Sequence, residues 1–179
     1  MKNLDDVGVV IVDMQDKYLR DKEKKRIVPP QKKLLDFAKE NDLPVFLLEY
    51  LPGGPTIPEL RENIEGYENV VVEKKYNDDG FIVRKNIDGK YLWRGGDISI
   101  EGDSNLDLDL KEKGIKKLLV AGVNKSACVR STIEGANKRG YKVFTATDLM
   151  NEPIHGNRWY SQNTGYTIST DKLLKKIKK

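Results

Sequence analysis

Cys128 is the one thiol in a sequence of 179 residues. Its setting is what makes it chemically interesting. The run Lys117 to Ala121 (KLLVA) has the apolar continuity of a buried strand, and Gly122-Val123-Asn124-Lys125-Ser126 breaks it. The spacing after the break predicts a helix from Ser126 to about Lys138, with Val129, Ile133 and Ala136 facing inward. Cys128 falls in its first turn, where unpaired N–H groups and the positive end of the helix dipole favour a thiolate. Such a thiolate would be a nucleophile. The plainer reading is a small buried hydrophobe.

A cysteine that attacks a carbonyl needs a base for its proton, donors for the oxyanion and an acid for the leaving group. Histidine usually moves the proton, but the single histidine, His155, lies in a polar loop after Asn151-Glu152-Pro153. Asp13 directly follows the apolar run Val7 to Val12 and would serve as base if burial raises its pKa. Otherwise it is a turn or helix-capping residue. A lysine beside it would keep that carboxylate charged, and the pair Lys74-Lys75 follows the apolar run Val70 to Val72. Solvent-facing lysines are the simpler account of that pair.

The elements that must carry these groups alternate along the chain. Strands are expected at Val7 to Val12, Val45 to Leu48, Val70 to Val72, Leu118 to Ala121 and Lys142 to Ala146, with a sixth at Tyr166 to Ser169. Helices are expected at Gln31 to Glu40, Pro58 to Asn63, Ser126 to Lys138 and Asp171 to Ile177. Continuous apolar strands between helices imply an α/β fold: a Rossmann-like three-layer domain with a mostly parallel sheet of about six strands and helices on both faces. In such sheets ligands bind at the carboxyl ends of the strands. Asp13, the Lys74-Lys75 pair and Cys128 all sit at such ends. Residues 82–104 break the alternation. Phe81 to Arg84 and Lys90 to Arg94 flank Asn86-Ile87-Asp88-Gly89, a hairpin signal. This insertion would be a lid, a subunit contact or a surface excursion.

Composition narrows the function. A length of 179 residues fits one domain, residues 1–179. Acidic and basic residues are interleaved, and the net charge is only +4, which argues against a nucleic-acid partner. The basic tail from Lys172 has apolar residues at helical spacing and reads as a docked helix. No apolar run approaches the 18 residues of a membrane span, so no membrane contact is expected. One cysteine excludes an internal disulfide and points to a cytoplasmic location. One cysteine and one histidine exclude a Cys/His zinc site. No G-x-G-x-x-G follows the first strand, which weighs against a dinucleotide.

Three segments carry a resemblance. Val10-Ile11-Val12-Asp13-Met14-Gln15 with Tyr18, Lys75 with Phe81 six places on, and Ala121-Gly122-Val123-Asn124-Lys125-Ser126-Ala127-Cys128-Val129 are together similar to the signatures of the isochorismatase-like cysteine hydrolases. That family includes nicotinamidases and carbamoylsarcosine amidohydrolases. The resemblance implies a triad of Asp13 as base, Lys75 and Cys128 as nucleophile, with Lys74 the rival of Lys75. It implies a cis peptide bond between Val123 and Asn124, and an oxyanion hole from the N–H groups of Asn124 and Cys128. It places Gln15, Tyr18 and Phe81 about the substrate. The family commonly has threonine at Lys125, and the lysine would line the pocket or face solvent. Arg94, Arg158 and Trp159 are further pocket candidates. The resemblance implies no cofactor. The segment Glu49 to Gly54 lacks the histidines of a nicotinamidase metal cluster, so no metal is expected. The reaction implied is cleavage of a carbon–nitrogen bond in a small-molecule amide or carbamoyl compound through a thioester. The alternatives are a non-catalytic binding or scaffold member, or a metal-independent isochorismatase- or nicotinamidase-like activity. Family members are commonly dimers or tetramers, and Trp93, Trp159 and Tyr160 would supply a subunit contact.

Overall fold

A computed structural model describes residues 4–51, 53–85, 100–152 and 157–178. Its centre is a parallel sheet of β1 (Val7–Val12), β2 (Val45–Tyr50), β3 (Val70–Lys75), β6 (Lys117–Gly122) and β7 (Lys142–Phe144), in the spatial order β3-β2-β1-β6-β7. β1 pairs with both β2 and β6, so every residue from Val7 to Val12 is buried. That is why this strand reads as an unbroken apolar run and not as an alternation. A separate antiparallel pair joins β4 (Ile82–Lys85) to β5 (Ile100–Asp103).

Helices cover both faces. α1 (Asp21–Glu40), α2 (Pro58–Asn63) and α6 (Thr170–Lys178) lie on one side; α3 (Asn105–Glu112), α4 (Arg130–Lys138) and α5 (Asn157–Asn163) lie on the other. Side chains alternate through the sheet, so Val9, Ile11 and Leu47 join the first core while Val10, Val12 and Leu48 join the second. The period of two thus divides one apolar strand between two cores. Among the described residues no helix is long and apolar enough to cross a membrane.

Three sequence expectations shift. Among the described residues the central sheet has five strands where about six were expected, and the segment Tyr166 to Ser169 contributes the bridge of Thr167 with Ala146. The helix expected from Gln31 starts ten residues earlier, at Asp21, and runs through Pro29 and Pro30. Proline there removes two backbone donors, yet Ile27 and Val28 are buried against the core and hold the turn before them in place. Glu23 closes the amino end by accepting the N–H of Arg20. Helices α3 and α5 have no counterpart in the expected elements. The expected hairpin partner, Lys90 to Arg94, lies outside the described residues, as do Trp93 and His155. Of the described hairpin residues, Ile82–Lys85 pairs with Ile100–Asp103. The basic tail is a docked helix, with Leu173 and Ile177 buried.

Gly122 ends β6 at a point of close approach. Its φ is +133°, and a Cβ would press into the carbonyl of Val12 on β1. The obstacle is backbone within a paired ladder, so it cannot swing aside. Gly122→Ala is expected to cost about 3 kcal/mol of stability, read as a lowered urea midpoint. An unchanged midpoint would show that β1 and β6 can separate at this end.

Candidate active site

The carboxyl ends of β1, β3 and β6 meet at one cavity of about 280 Å3, lined by Asp13, Lys17, Tyr18, Tyr50, Asp78, Asn124, Ala127 and Cys128. Asp13 is the first residue past β1 and has a φ of 51°. Aspartate tolerates this left-handed conformation better than most residues, and here it ends the strand while keeping the side chain buried. Lys75 is the last residue of β3. Its Nζ lies 2.7 Å from Asp13 Oδ2, with both side chains almost fully buried (1% and 3% exposed). The same ammonium donates to the carbonyl of Asp78 at 3.0 Å and lies over the Tyr50 ring, 5.1 Å from its centre.

The strand alternation separates the two lysines. Lys75 stands opposite Tyr50 in the β2–β3 ladder, and Lys74 stands opposite Glu49. Lys74 therefore points away from the cavity, where its half-exposed ammonium (48%) pairs with the buried Glu49 carboxylate. Burial would raise the Glu49 pKa, but Lys74, the Thr56 N–H and Arg61 outweigh it and hold the carboxyl below its usual range. Glu49 is thus committed to its own ion pairs, outside the cavity.

Cys128 sits in a π-helical turn, Lys125–Val129, that leads into α4. The peptide bond between Val123 and Asn124 is cis. The carbonyl of Asn124 accepts from the N–H groups of Ala127 and Val129, each at 3.1 Å. The Cys128 N–H, between them in sequence, is left out of that pair of bonds. Asn151, which the sequence did not flag, fixes this loop. Its Oδ1 accepts the Lys125 N–H at 2.8 Å and its Nδ2 donates to Asn124 Oδ1 at 3.1 Å.

The electrostatics correct the expectation of a thiolate. Burial pushes the Cys128 thiol up to about 12; Lys75 opposes the rise, and the Asp13 and Asp78 carboxylates add to it. Desolvation of a charged sulfur next to two carboxylates outweighs the helix end. Burial likewise raises the Asp13 pKa, against the lowering effect of Lys75. The resting site therefore holds a neutral thiol beside the Asp13–Lys75 ion pair. The Sγ–H donates to Asp78 Oδ1 at 3.6 Å, and Asp13 Oδ1 has no hydrogen-bond partner among the described residues.

The other expected site residues divide. Tyr18 lines the cavity, its ring edge-on to Tyr50 at 6.3 Å, and its buried hydroxyl has no partner among the described residues. Gln15 does not line it. Its side chain accepts the N–H of Tyr50 at 2.8 Å and donates to the carbonyls of Tyr50 at 2.9 Å and Gly54 at 2.5 Å. It ties the turn after β1 to the end of β2, and so places Tyr50. Phe81 is core: it stacks on Tyr141 at 5.8 Å and is fully buried.

Lys125 neither lines this cavity nor faces solvent. Its Nζ donates to the Glu152 carbonyl at 3.1 Å and to Asn157 Oδ1 at 2.5 Å. Tyr160 is not an exposed aromatic; it is buried, and its hydroxyl donates to the Lys125 carbonyl at 2.5 Å. Trp159 packs partly buried against the same core, with Arg130 over its ring. Arg158 is exposed and outside the cavity lining. Arg94 lies outside the described residues. Lys17, Tyr50, Asp78 and Ala127 also line the cavity, and sequence reasoning gave none of them a site role. No group of three or more His, Cys, Asp or Glu side chains among the described residues is placed to hold a metal.

These charges set the sign of the thiol's pH response. The rate of Cys128 alkylation by iodoacetamide is expected to rise with pH and to have its midpoint well above the free-thiol value of about 8.5. Lys75→Met removes a charge that lowers the thiol pKa and should move the midpoint higher still. Asp13→Asn removes a charge that raises it and should move it down. Lys74→Met, on the other face of β3, should leave it in place. A wild-type midpoint at or below 8.5 would contradict the dominance of burial.

Comparison with known proteins places this geometry in a family. Residues 7–153 match the family model described as the isochorismatase domain. The chain is 28% identical over 163 residues to the probable hydrolase YcaC of Escherichia coli (strain K12), covering 86% of this chain and 68% of that one. The fold is that of N-carbamoylsarcosine amidase from Thermoplasma acidophilum, with a TM-score of 0.70 at 21% identity over 92% of this chain and 96% of that one. It is equally that of the nicotinamidase SaPncA from Staphylococcus aureus, with a TM-score of 0.70 at 19% identity over 90% and 98% of the two chains. An isochorismatase domain over most of the chain, on a parallel α/β sheet shared with these hydrolases, makes this protein a member of the isochorismatase family.

Proposed function

We propose that the protein is a cysteine-dependent hydrolase that cleaves a carbon–nitrogen bond of a small amide or carbamoyl compound. The observation that carries this reading is that Asp13 and Cys128 line one cavity together with Asn124, while Lys75 is paired with Asp13 at 2.7 Å. The names of the similar amidase and nicotinamidase support the same bond class.

The charges give each group a role. The thiol is neutral at rest, so its proton must leave as the carbon–sulfur bond forms. Asp13 accepts that proton through the oxygen that Lys75 does not engage. Burial raises the Asp13 pKa and makes it a stronger base than an exposed aspartate. The tetrahedral oxyanion is met by the N–H groups of Asn124 and Cys128. Asp13 then returns the proton to the leaving nitrogen as the carbon–nitrogen bond breaks, which leaves a thioester on Cys128. Water, deprotonated by the same carboxylate, attacks the thioester carbon and releases the acid and the thiol. Lys75, paired with Asp13, offsets the negative charge of the carboxylate and of the developing anion. Tyr18, with its phenol pKa raised by burial and by Asp13, remains a hydroxyl donor towards bound substrate.

The test is ammonia release from a panel of small primary amides. Cys128→Ala should reduce turnover to background, and Asp13→Asn should lower kcat by at least about a hundredfold, the low end for a general base. Turnover by Cys128→Ala equal to wild type would overturn the mechanism.

A further inference from the structure

Asn124 lines the cavity with Cys128, yet the proposed mechanism uses only its backbone. The orientation of its side-chain amide is fixed through two amides in series. The Lys125 N–H can only donate, so the prong of Asn151 that meets it at 2.8 Å is the oxygen. The other prong of Asn151 is therefore the NH2, and the prong of Asn124 that it meets at 3.1 Å must be the accepting oxygen. That leaves Nδ2 as the free end of Asn124. Asn151 is itself held in place from α1. It is buried, and its Nδ2 also donates to Glu23 Oε1 at 3.5 Å. The two carbonyls before it, of Leu149 and Met150, accept from Gln31 at 2.9 Å and from Arg26 at 3.0 Å. Asn124 Nδ2 has no hydrogen-bond partner among the described residues. It is not sealed in the interior either, as the unpartnered Asp13 Oδ1 and Tyr18 hydroxyl are, so it is open to a molecule in the cavity. An NH2 held in one orientation, with no acceptor of its own, is a place for an oxygen of the ligand.

The chemistry at the sulfur says which oxygen. When Cys128 attacks a carbonyl, the negative charge collects on the carbonyl oxygen, and free N–H groups stabilise it there. The turn from Asn124 to Cys128 is where such groups lie. The Asn124 carbonyl occupies the N–H groups of Ala127 and Val129 and leaves that of Cys128. Asn124 Nδ2 belongs to the same turn. We propose that Asn124 is a further catalytic residue: its side-chain amide donates to the oxyanion alongside the backbone N–H groups of Asn124 and Cys128. The reacting carbonyl rests on the hydrolase reading above; the donor itself can be tested without amide turnover.

The single thiol allows two reagents to be compared. Iodoacetamide alkylates Cys128 by displacing iodide, and no oxygen gains charge. p-Nitrophenyl acetate acylates it through an oxyanion: the sulfur–carbon bond forms, the thiol proton passes to Asp13, and p-nitrophenolate leaves. The ratio of the acylation rate to the alkylation rate cancels thiol acidity and reports on the oxyanion. Cys128→Ala corrects for acylation elsewhere. In the wild type the ratio should exceed that of the urea-unfolded protein by at least about tenfold. Asn124→Ala should lower it by at least about tenfold, since one oxyanion donor is worth about a hundredfold or more. Asn124→Asp keeps an oxygen for Asn151 but has no N–H to give, and it should lose as much. A wild-type ratio no higher than that of the unfolded chain overturns the proposal without any variant. An unchanged ratio in Asn124→Ala overturns it too. So does an unchanged ratio in Asn124→Asp, which would show that the clamp to Asn151 matters and the donor does not.

Turnover supplies the second arm, with acetamide and propionamide as the probes. Asn124→Ala should lower kcat by at least about tenfold and leave KM within about threefold, because the donor acts on the oxyanion more than on the bound amide. A loss carried by KM alone would make Asn124 a binding contact and overturn the proposal. A lowered acylation ratio in both variants, without ammonia release from any amide by the wild type, would overturn the hydrolase and keep Asn124 as the oxyanion donor. Ammonia release that needs Cys128, with the acylation ratio unchanged in both variants, would overturn the donor and keep the hydrolase.

Discussion

The ion pair of Asp13 and Lys75 is the constraint around which the rest is arranged. Two almost fully buried charges at 2.7 Å stabilise one another only as a pair. Removing either leaves the other uncompensated at a cost of about 3–5 kcal/mol. The two residues end strands that do not touch, with β2 between them. Closing the pair therefore fixes how far β3 extends past β1, and it puts Tyr50, the residue of β2 opposite Lys75, at the cavity wall. Gln15 then holds Tyr50 from the β1 side. The pair also sets the state of the sulfur, because Lys75 is engaged with Asp13 and cannot by itself draw the thiol proton away.

Much of this was legible in the sequence, for a definite reason. Strands buried on both faces leave long apolar runs, and the polar residue ending each run marks the end of a strand. Asp13, Lys75 and Cys128 all carry that mark. The choice between Lys74 and Lys75 rested there on the spacing to Phe81. The sheet makes the same choice by alternation, since neighbouring side chains on β3 must point to opposite faces. The start of α1 was less legible: the helix was expected only from Gln31, whereas the tertiary burial of Ile27 and Val28 carries it through Pro29 and Pro30.

What stayed hidden is what depends on contacts far apart in the chain. Gln15 and Phe81 belong to motifs at the site, so motif position alone groups them with the substrate; only the folded chain shows Gln15 satisfied by backbone groups and Phe81 stacked in the core. Lys125 offered pocket or solvent, and took a third course, its charge satisfied by a carbonyl and an amide from the segment after residue 150. Asn151 and Asp78 give no local signal at all. Each matters because of a partner 26 to 50 residues distant. The acidity of the thiol was misjudged for a related reason. A helix end can be read from sequence, whereas the depth of burial and two carboxylates brought in from other loops cannot.

A protonated, solitary sulfur also bears on chemical durability. Peroxide and other mild oxidants attack thiolates far faster than thiols, so a sulfur whose pKa is pushed up to about 12 is shielded from them at neutral pH. The same chain has no second cysteine to capture a sulfenic acid as a disulfide. A sulfenic acid formed there could not be captured as an internal disulfide and would depend on an external thiol or a backbone nitrogen to escape irreversible oxidation. Keeping the proton on Cys128 until a substrate displaces it thus protects a sulfur that has no cysteine partner in its own chain.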